Sequence, residues 1–222
     1  MRFKFKTAPR PHQLKEFQEH RDDENRALLW QMRSGKSKAT IDCFSYQFCK
    51  GNVTGVLIIA PNEVHYNWLR EELPRHCSVP YIGHTYRANK VRTRVHGFRV
   101  KEVCQAHPKK RLSVLAVNTE SIRTPNAKRV IEEFIKAHKG KVFLVVDEVH
   151  DFRTPGSKRT RRMIAIRKHC RFKRILTGTA VKNSPLAAYS QFEILATKAL
   201  GFRNYGEFKQ HYAVYRLSLI HI

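Results

Sequence analysis

Short apolar runs recur along this chain, each halted by a turn-forming or charged residue and each separated from the next by a stretch of helical spacing. Gly55 to Ala60 reads GVLIIA and stops at Pro61; Leu112 to Val117 reads LSVLAV; Lys141 to Val146 reads KVFLVV and runs into two carboxylates. These runs are nearly continuous rather than alternating, the pattern of strands buried on both faces. Burial on both faces requires helices above and below the sheet, so the expected fold is α/β, three-layered, with a mainly parallel central sheet. Shorter runs at Ala27 to Trp30 and Arg174 to Leu176 supply two more strands. Helical spacing is expected around Leu14 and Phe17, over Ser37 to Phe48, over Glu63 to Leu73 with Pro74 ending it, over Ala127 to His138 with Gly140 closing it, and over Pro185 to Leu195. No internal repeat is visible.

Charge narrows the partners. The 222 residues carry 43 Lys and Arg against 18 Asp and Glu, a formal charge of +25. Such a balance attracts polyanions, nucleic acid first among them. Two runs concentrate it: His84 to Arg111, which includes Arg92, Arg94 and Arg99 against the lone acid Glu102, and Lys158 to Arg174, which holds no acid. Either run reads as a phosphate-facing surface or as a merely solvated face; the first is expected here, with contacts to backbone phosphate and no base readout. Hydrophobic residues make up 41% of the chain, enough for a core in one large domain or two small ones. There is no apolar stretch of about 18 residues to span a membrane. The opening MRFKFKTAPRPH has no secretory h-region, and a cytoplasmic location is expected. The five cysteines are odd in number and widely spaced, which argues against a disulfide framework. His76–Cys77 and His169–Cys170 lack the close-spaced ligand pair of a structural zinc site.

Three segments carry chemistry. Gln31 to Ser37, QMRSGKS, follows a short strand and opens a helix, the context of a phosphate-binding loop. There backbone N–H groups cradle phosphate, Lys36 reaches the β- and γ-phosphates, and Ser37 ligates Mg²⁺. Trp30 stands where the full pattern has its first glycine. Val142 to His150, VFLVVDEVH, ends a buried strand on Asp147 and Glu148. Ligands of open α/β sheets bind at the carboxyl ends of strands, which suits Asp147 for Mg²⁺ and Glu148 for polarising water. A strand that simply turns at charged residues is the plainer alternative. Ile175 to Asn183, ILTGTAVKN, is by itself a Thr/Gly turn.

In this order the segments resemble the superfamily 2 helicases and translocases, most of all the duplex-DNA translocases related to chromatin remodellers, with their phage and bacterial cousins. The resemblance covers nearly the whole chain. RPHQLKEF resembles the adenine-reading segment, with Gln13 as the base contact, and MRSGKS resembles motif I, usually MGLGKT. VLIIAPNEVHYNWLREEL resembles motif Ia with its helix, AVNTESI motif Ib, VVDEVHDFR a DEAH-type motif II, and ILTGTAVKNSPLAAYSQFEIL the branch-specific motif III region. The resemblance implies ATP and Mg²⁺ as cofactors and DNA, with backbone contacts to a duplex, as partner. It assigns Arg33, Ser34, Gly35, Lys36 and Ser37 to the nucleotide, Ser37 and Asp147 to the metal, and Glu148 to catalysis beside Lys36 and Asp147. His150, Thr177, Gly178 and Thr179 would couple the nucleotide state to nucleic acid, near which Pro61, Asn62 and Thr119 would lie. Arg33 replaces a glycine of motif I, and Ala180 a proline of motif III. Residues 1–215 would form an N-terminal RecA-like lobe and 216–222 an unassigned tail. The family's second lobe, which carries arginine fingers, has no counterpart here, so the chain is read as a truncated fragment. The alternatives are the motor lobe of a restriction system or an RNA helicase, or a non-catalytic DNA- or ATP-binding module.

Overall fold

The fold is taken from a computed structural model, which describes residues 2–108, 110–179 and 185–213. Six strands, β1 (Asn25–Leu28), β2 (Gly55–Ala60), β3 (Tyr81–Thr85), β4 (Leu112–Asn118), β5 (Val142–Asp147) and β6 (Phe172–Leu176), form one sheet in the order β1-β6-β5-β2-β4-β3. Every neighbouring pair is parallel. The three central strands are buried at nearly every position because helices cover both faces. Val56, Ile58, Val114, Ala116, Phe143 and Val145 point to one core. There they meet α1 (Pro11–His20), α2 (Lys36–Cys49), α3 (Val64–Asn67) and α4 (Leu73–His76) through Phe17, Ile41, Phe44, Val64 and Leu73. Leu57, Ile59, Leu115, Val117, Leu144 and Val146 point to the other core. That core meets α5 (Arg94–Val103), α6 (Pro125–Ala137) and α7 (Lys158–Arg167) through Val100, Val103, Ile131, Phe134, Met163 and Ile166. Two short helices, α8 (Leu186–Glu193) and α9 (Tyr205–Tyr212), follow β6.

The expected strands β2, β4, β5 and β6 occur within two residues of their sequence bounds, and β1 begins two residues early. Among the strands and α-helices of the described residues, β3, α5, α7 and α9 have no counterpart in the sequence reading. The helix after β2 does not end at Pro74. It passes through a π-helical turn, Trp68–Glu72, in which Leu73 N–H bonds to the Trp68 carbonyl, and continues as α4 to His76. The widened turn admits the proline ring and falls where its missing N–H is not needed.

The second basic run is not a single phosphate-facing surface. Arg174 is 1% exposed; it donates to the carbonyls of His20 and Lys173, both at 3.1 Å, and lies over the Phe143 ring. Arg167 is buried and donates to Thr197 Oγ1 at 2.9 Å. Much of this run is a helix face and a strand, and its inward positions set the Arg174 guanidinium against carbonyls and the Arg167 guanidinium against the Thr197 hydroxyl and, at 4.0 Å, the Glu193 carboxylate. Lys109 and the segments 180–184 and 214–222, with Ala180, Asn183 and the 216–222 tail, lie outside the described residues.

Candidate functional site

The loop between β1 and α2 has the backbone of a phosphate cradle. Gly35 is left-handed (φ 81°) and caps α2, whose first residues are Lys36 and Ser37. A side chain at residue 35 would strain this left-handed backbone and displace the Gln13 amide. The first-turn N–H groups of α2 have no intrahelical acceptor and face the loop. Arg33 holds φ 61°, in the left-handed region that a glycine adopts freely and other residues rarely do. Gln13 is buried and spans two backbones: its Nε2 donates to the Ser34 carbonyl at 3.0 Å, and its Oε1 accepts from Arg10 N–H at 2.9 Å. Its amide thus latches α1 to the loop. The adjoining cavity of about 450 Å³ is lined instead by His12, Glu16, Arg26, Trp30 and Ser34. Lys36 Nζ donates to the carbonyls of Trp30 and Gln31 at 3.0 and 3.1 Å, folding the ammonium over the loop where phosphate oxygens would replace the carbonyls.

β5 delivers the two carboxylates. Asp147 is 8% exposed, and its oxygens accept from Trp68 Nε1 at 2.9 Å and from Glu148 N–H at 3.0 Å. Burial raises the Asp147 pKa above the usual carboxylate range; the Trp68 N–H offsets part of this, and the neighbouring charge of Glu148 adds to it. Trp68, the buried hydrogen-bond partner of Asp147, is one that sequence reasoning missed. Glu148 turns out of the strand in a left-handed conformation (φ 50°). Its carboxylate meets His150 Nδ1 at 3.1 Å and the Thr177 hydroxyl at 3.4 Å. Thr177 Oγ1 in turn accepts from Thr179 N–H at 3.1 Å. Asp147 and Leu176 are in register, and Thr177 N–H bonds to the Leu28 carbonyl, so the ends of β5, β6 and β1 are adjacent. Gly178 lies against the phosphate loop: a Cβ there would sit 3.1 Å from Met32 Cγ.

Among the described residues no three His, Cys, Asp or Glu side chains gather to hold a metal unaided. A buried, desolvated Asp147 facing a phosphate loop fits a different case: a Mg²⁺ ion that draws most of its ligands from nucleotide and water and few from protein.

Of the expected nucleic-acid residues, Pro61, Asn62 and Thr119 lie at the carboxyl end of the sheet, whereas Arg92, Arg94 and Arg99 lie beyond β3, with Arg99 in a groove along that strand's edge. Pro61 and Asn62 follow β2, with Asn62 exposed, and Thr119 follows β4, its N–H bonded to the Ala60 carbonyl at 2.9 Å. The Thr119 hydroxyl is buried without a hydrogen-bond partner. Arg92, just before α5, and Arg94, its first residue, are exposed, and Arg99, also exposed, is paired with Glu102 at 3.0 Å. A further cavity of about 440 Å³ beside motif II is lined by Arg123, Arg153, Lys158 and Arg159 with Asp151. Glu120 holds two of these, Arg123 at 2.6 Å and Arg159. Lys158 and Arg159 belong to the second basic run, but only the fold brings them beside Arg123.

A parallel sheet sheathed on both faces, with a phosphate loop after its edge strand and an Asp-Glu pair at the end of β5, defines a RecA-like nucleotide-binding lobe. Residues 17–215 match the SNF2-related domain, and the chain belongs to that family. No curated protein matches it. Among solved structures it is similar to the Sulfolobus solfataricus SWI2/SNF2 ATPase core in complex with dsDNA, with a TM-score of 0.67 and 19% identity. That match covers 94% of this chain and 39% of the archaeal one, so the chain spans well under half the length of its structural relative.

Proposed function

We propose that residues 1–215 are the N-terminal lobe of an ATP-dependent DNA translocase, with a DEAH-type motif II and of phage or bacterial type, working in the cytoplasm. The observation that carries this reading is the convergence of Lys36, Asp147–Glu148 and Thr177 at the ends of three adjacent strands. Lys36 releases its two loop carbonyls to bind β- and γ-phosphates, with Arg33, Ser34 and Gly35 enclosing them. Ser37 and Asp147 hold Mg²⁺, which when bound neutralises phosphate charge. Glu148 orients the attacking water and takes its proton. His150 and Thr177 fix the Glu148 carboxylate and, through Gly178 and Thr179, link its position to the nucleic-acid edge. Gln13 contacts the base, as the resemblance implies, with His12 and Trp30 lining the cavity beside it. Duplex DNA lies along Pro61, Asn62 and Thr119, held at its phosphates by Arg92, Arg94 and Arg99.

In this reading turnover needs a second lobe, which meets the γ-phosphate from the side opposite Lys36 and Glu148. Arginine fingers supplied there contribute roughly 10³–10⁵ in rate. The test is an ATPase assay of the 222-residue chain with and without duplex DNA, alone and with a separately expressed second lobe. The expected result is near-background hydrolysis alone and partial recovery with the second lobe. Robust DNA-stimulated turnover by the chain as a monomer would refute the two-lobe requirement.

A further inference from the structure

A cavity of about 820 Å³ lies far from the nucleotide loop, around the open edge of β3. Among the described strands β3 pairs only with β4. Leu112 N–H bonds to the Pro80 carbonyl and Tyr86 N–H to the Ala116 carbonyl, each at 2.8 Å. In a parallel ladder, alternate residues bond to the same neighbour, so the even-numbered residues of β3 face β4. The N–H and C=O groups of Tyr81, Gly83 and Thr85 therefore face outward along the edge. One wall of the groove is Tyr66, Leu69 and Arg70; the other is α5, with Val95 and His96. Val95 is 73% exposed, and Phe98, one turn further, is 64% exposed.

Among the described residues no carboxylate lines the groove, while Arg70, Arg87, Lys90 and Arg99 do. Arg70 and Arg87 both lie over the Tyr66 ring, at 5.4 and 5.0 Å from its centroid. An aromatic ring thus holds two guanidinium groups together, and neither has a carboxylate partner among the described residues.

We propose that the β3 edge is a docking site for an acidic, extended segment of a partner protein, which adds to the sheet as a seventh strand. Strand addition uses the edge's alternating donors and acceptors. Alternate side chains of the added strand fall on opposite sides of the sheet, one row toward Leu69 and Arg70 and the other toward Val95 and His96. A nucleic-acid strand fits less well, because the outward carbonyls of Tyr81, Gly83 and Thr85 oppose phosphate. His84 and His96, in contact at 3.1 Å, are neutral near pH 7: burial lowers both, His84 to about 4 with His96, Arg87 and Arg99 adding to the effect. The groove's charge there rests on its arginines and lysine.

The test titrates the 222-residue chain with a labelled peptide of alternating valine and glutamate, with the same peptide carrying lysine for glutamate, and with oligothymidylate. The acidic peptide is expected to bind at least ~10-fold more tightly than its lysine counterpart and to slow hydrogen exchange at Tyr81, Gly83 and Thr85. Thr85→Pro removes one outward N–H and leaves the β4 ladder intact; it should weaken the acidic peptide by about 10-fold and leave oligothymidylate binding unchanged. Arg70→Glu, an exposed change that does not challenge folding, should weaken the peptide by a similar factor. Equal binding of the two peptides would overturn the proposal. So would protection of the same amides by oligothymidylate, or wild-type peptide binding by Arg70→Glu.

Discussion

Replacing Trp68 by Phe removes one buried N–H from the Asp147 carboxylate and little else of that hydrogen-bond geometry. The two groups are 1% and 8% exposed and meet at 2.9 Å, so solvent screens the bond little. A hydrogen bond to an ionised group contributes about 1.5–3 kcal/mol. The smaller ring also leaves a void, costing roughly 1–2 kcal/mol more. The two losses separate by pH. In the folded chain the Asp147 pKa is raised, chiefly by burial, so the native state holds its proton more tightly than the unfolded chain does. Stability from this group is therefore full at acid pH and falls as pH rises through its folded range. Losing the Trp68 N–H pushes that pKa further up. The penalty of Trp68→Phe should grow with pH, while the packing penalty stays constant. Urea unfolding of wild type, Trp68→Phe, Asp147→Asn and the double variant, over a pH series, isolates the coupling. We expect about 1.5–3 kcal/mol near neutral pH, shrinking toward acid. A coupling below about 0.5 kcal/mol at every pH would mean that the Trp68 N–H does not tune the carboxylate. On the proposed Mg²⁺ role of Asp147, which requires the ionised carboxylate, the same variant should bind Mg²⁺–nucleotide more weakly at neutral pH and regain affinity as pH rises.

Lys36→Ala should weaken a fluorescent ATP analogue by about 10–100-fold through loss of charge-assisted hydrogen bonds, and unchanged affinity would remove Lys36 from the phosphate site. Glu148→Gln should bind the analogue normally yet lose roughly 10²–10⁴ in hydrolysis, measured with the second lobe supplied. The combined Arg92, Arg94 and Arg99 to Ala variant should flatten the salt dependence of duplex binding by about 0.9 in log–log slope for each phosphate left without its cation; an unaltered slope assigns these side chains to solvent. Arg33→Gly relieves a left-handed backbone strain of about 1–2 kcal/mol and returns roughly 0.5–1 kcal/mol of freedom to the unfolded chain, so melting should show no net loss of stability.

The sequence made the buried middle of the sheet legible and its rim obscure. GVLIIA and VFLVVD announce themselves because two-sided burial leaves no polar position, and the structure puts both at the centre. YIGHT at β3 is partly exposed at every residue, contains a glycine and a histidine, and carries no such run. α5 and α7 anchor themselves by few apolar side chains, Val100 and Val103 in one and Met163 and Ile166 in the other, and the cations between them mask the helical period. The site divides in the same way. Lys36, Ser37, Asp147 and Glu148 could be found from local spacing, since each pair of neighbours lies at one strand or helix end. The Trp68–Asp147 bond spans 79 residues, and the Glu148–Thr177 hydrogen bond 29, so no window of sequence contains them.

Net charge was the least discriminating signal, and the structure explains why. A count of cations treats Arg174, buried and bonded to carbonyls, as equal to Arg92, which faces water at the edge of the sheet. It also cannot separate Arg123 and Arg159, already committed to Glu120, from Arg70 and Arg87, which have only the Tyr66 ring between them. An anion arriving at the first pair must displace a carboxylate, whereas one arriving at the second replaces only water. At equal formal charge the second pair is the stronger attractor, because its guanidinium groups give up no existing ion pair to bind. A basic chain of this kind therefore has several electrostatically distinct faces. The one beside motif II is restrained by Glu120, and the one at the β3 edge is open.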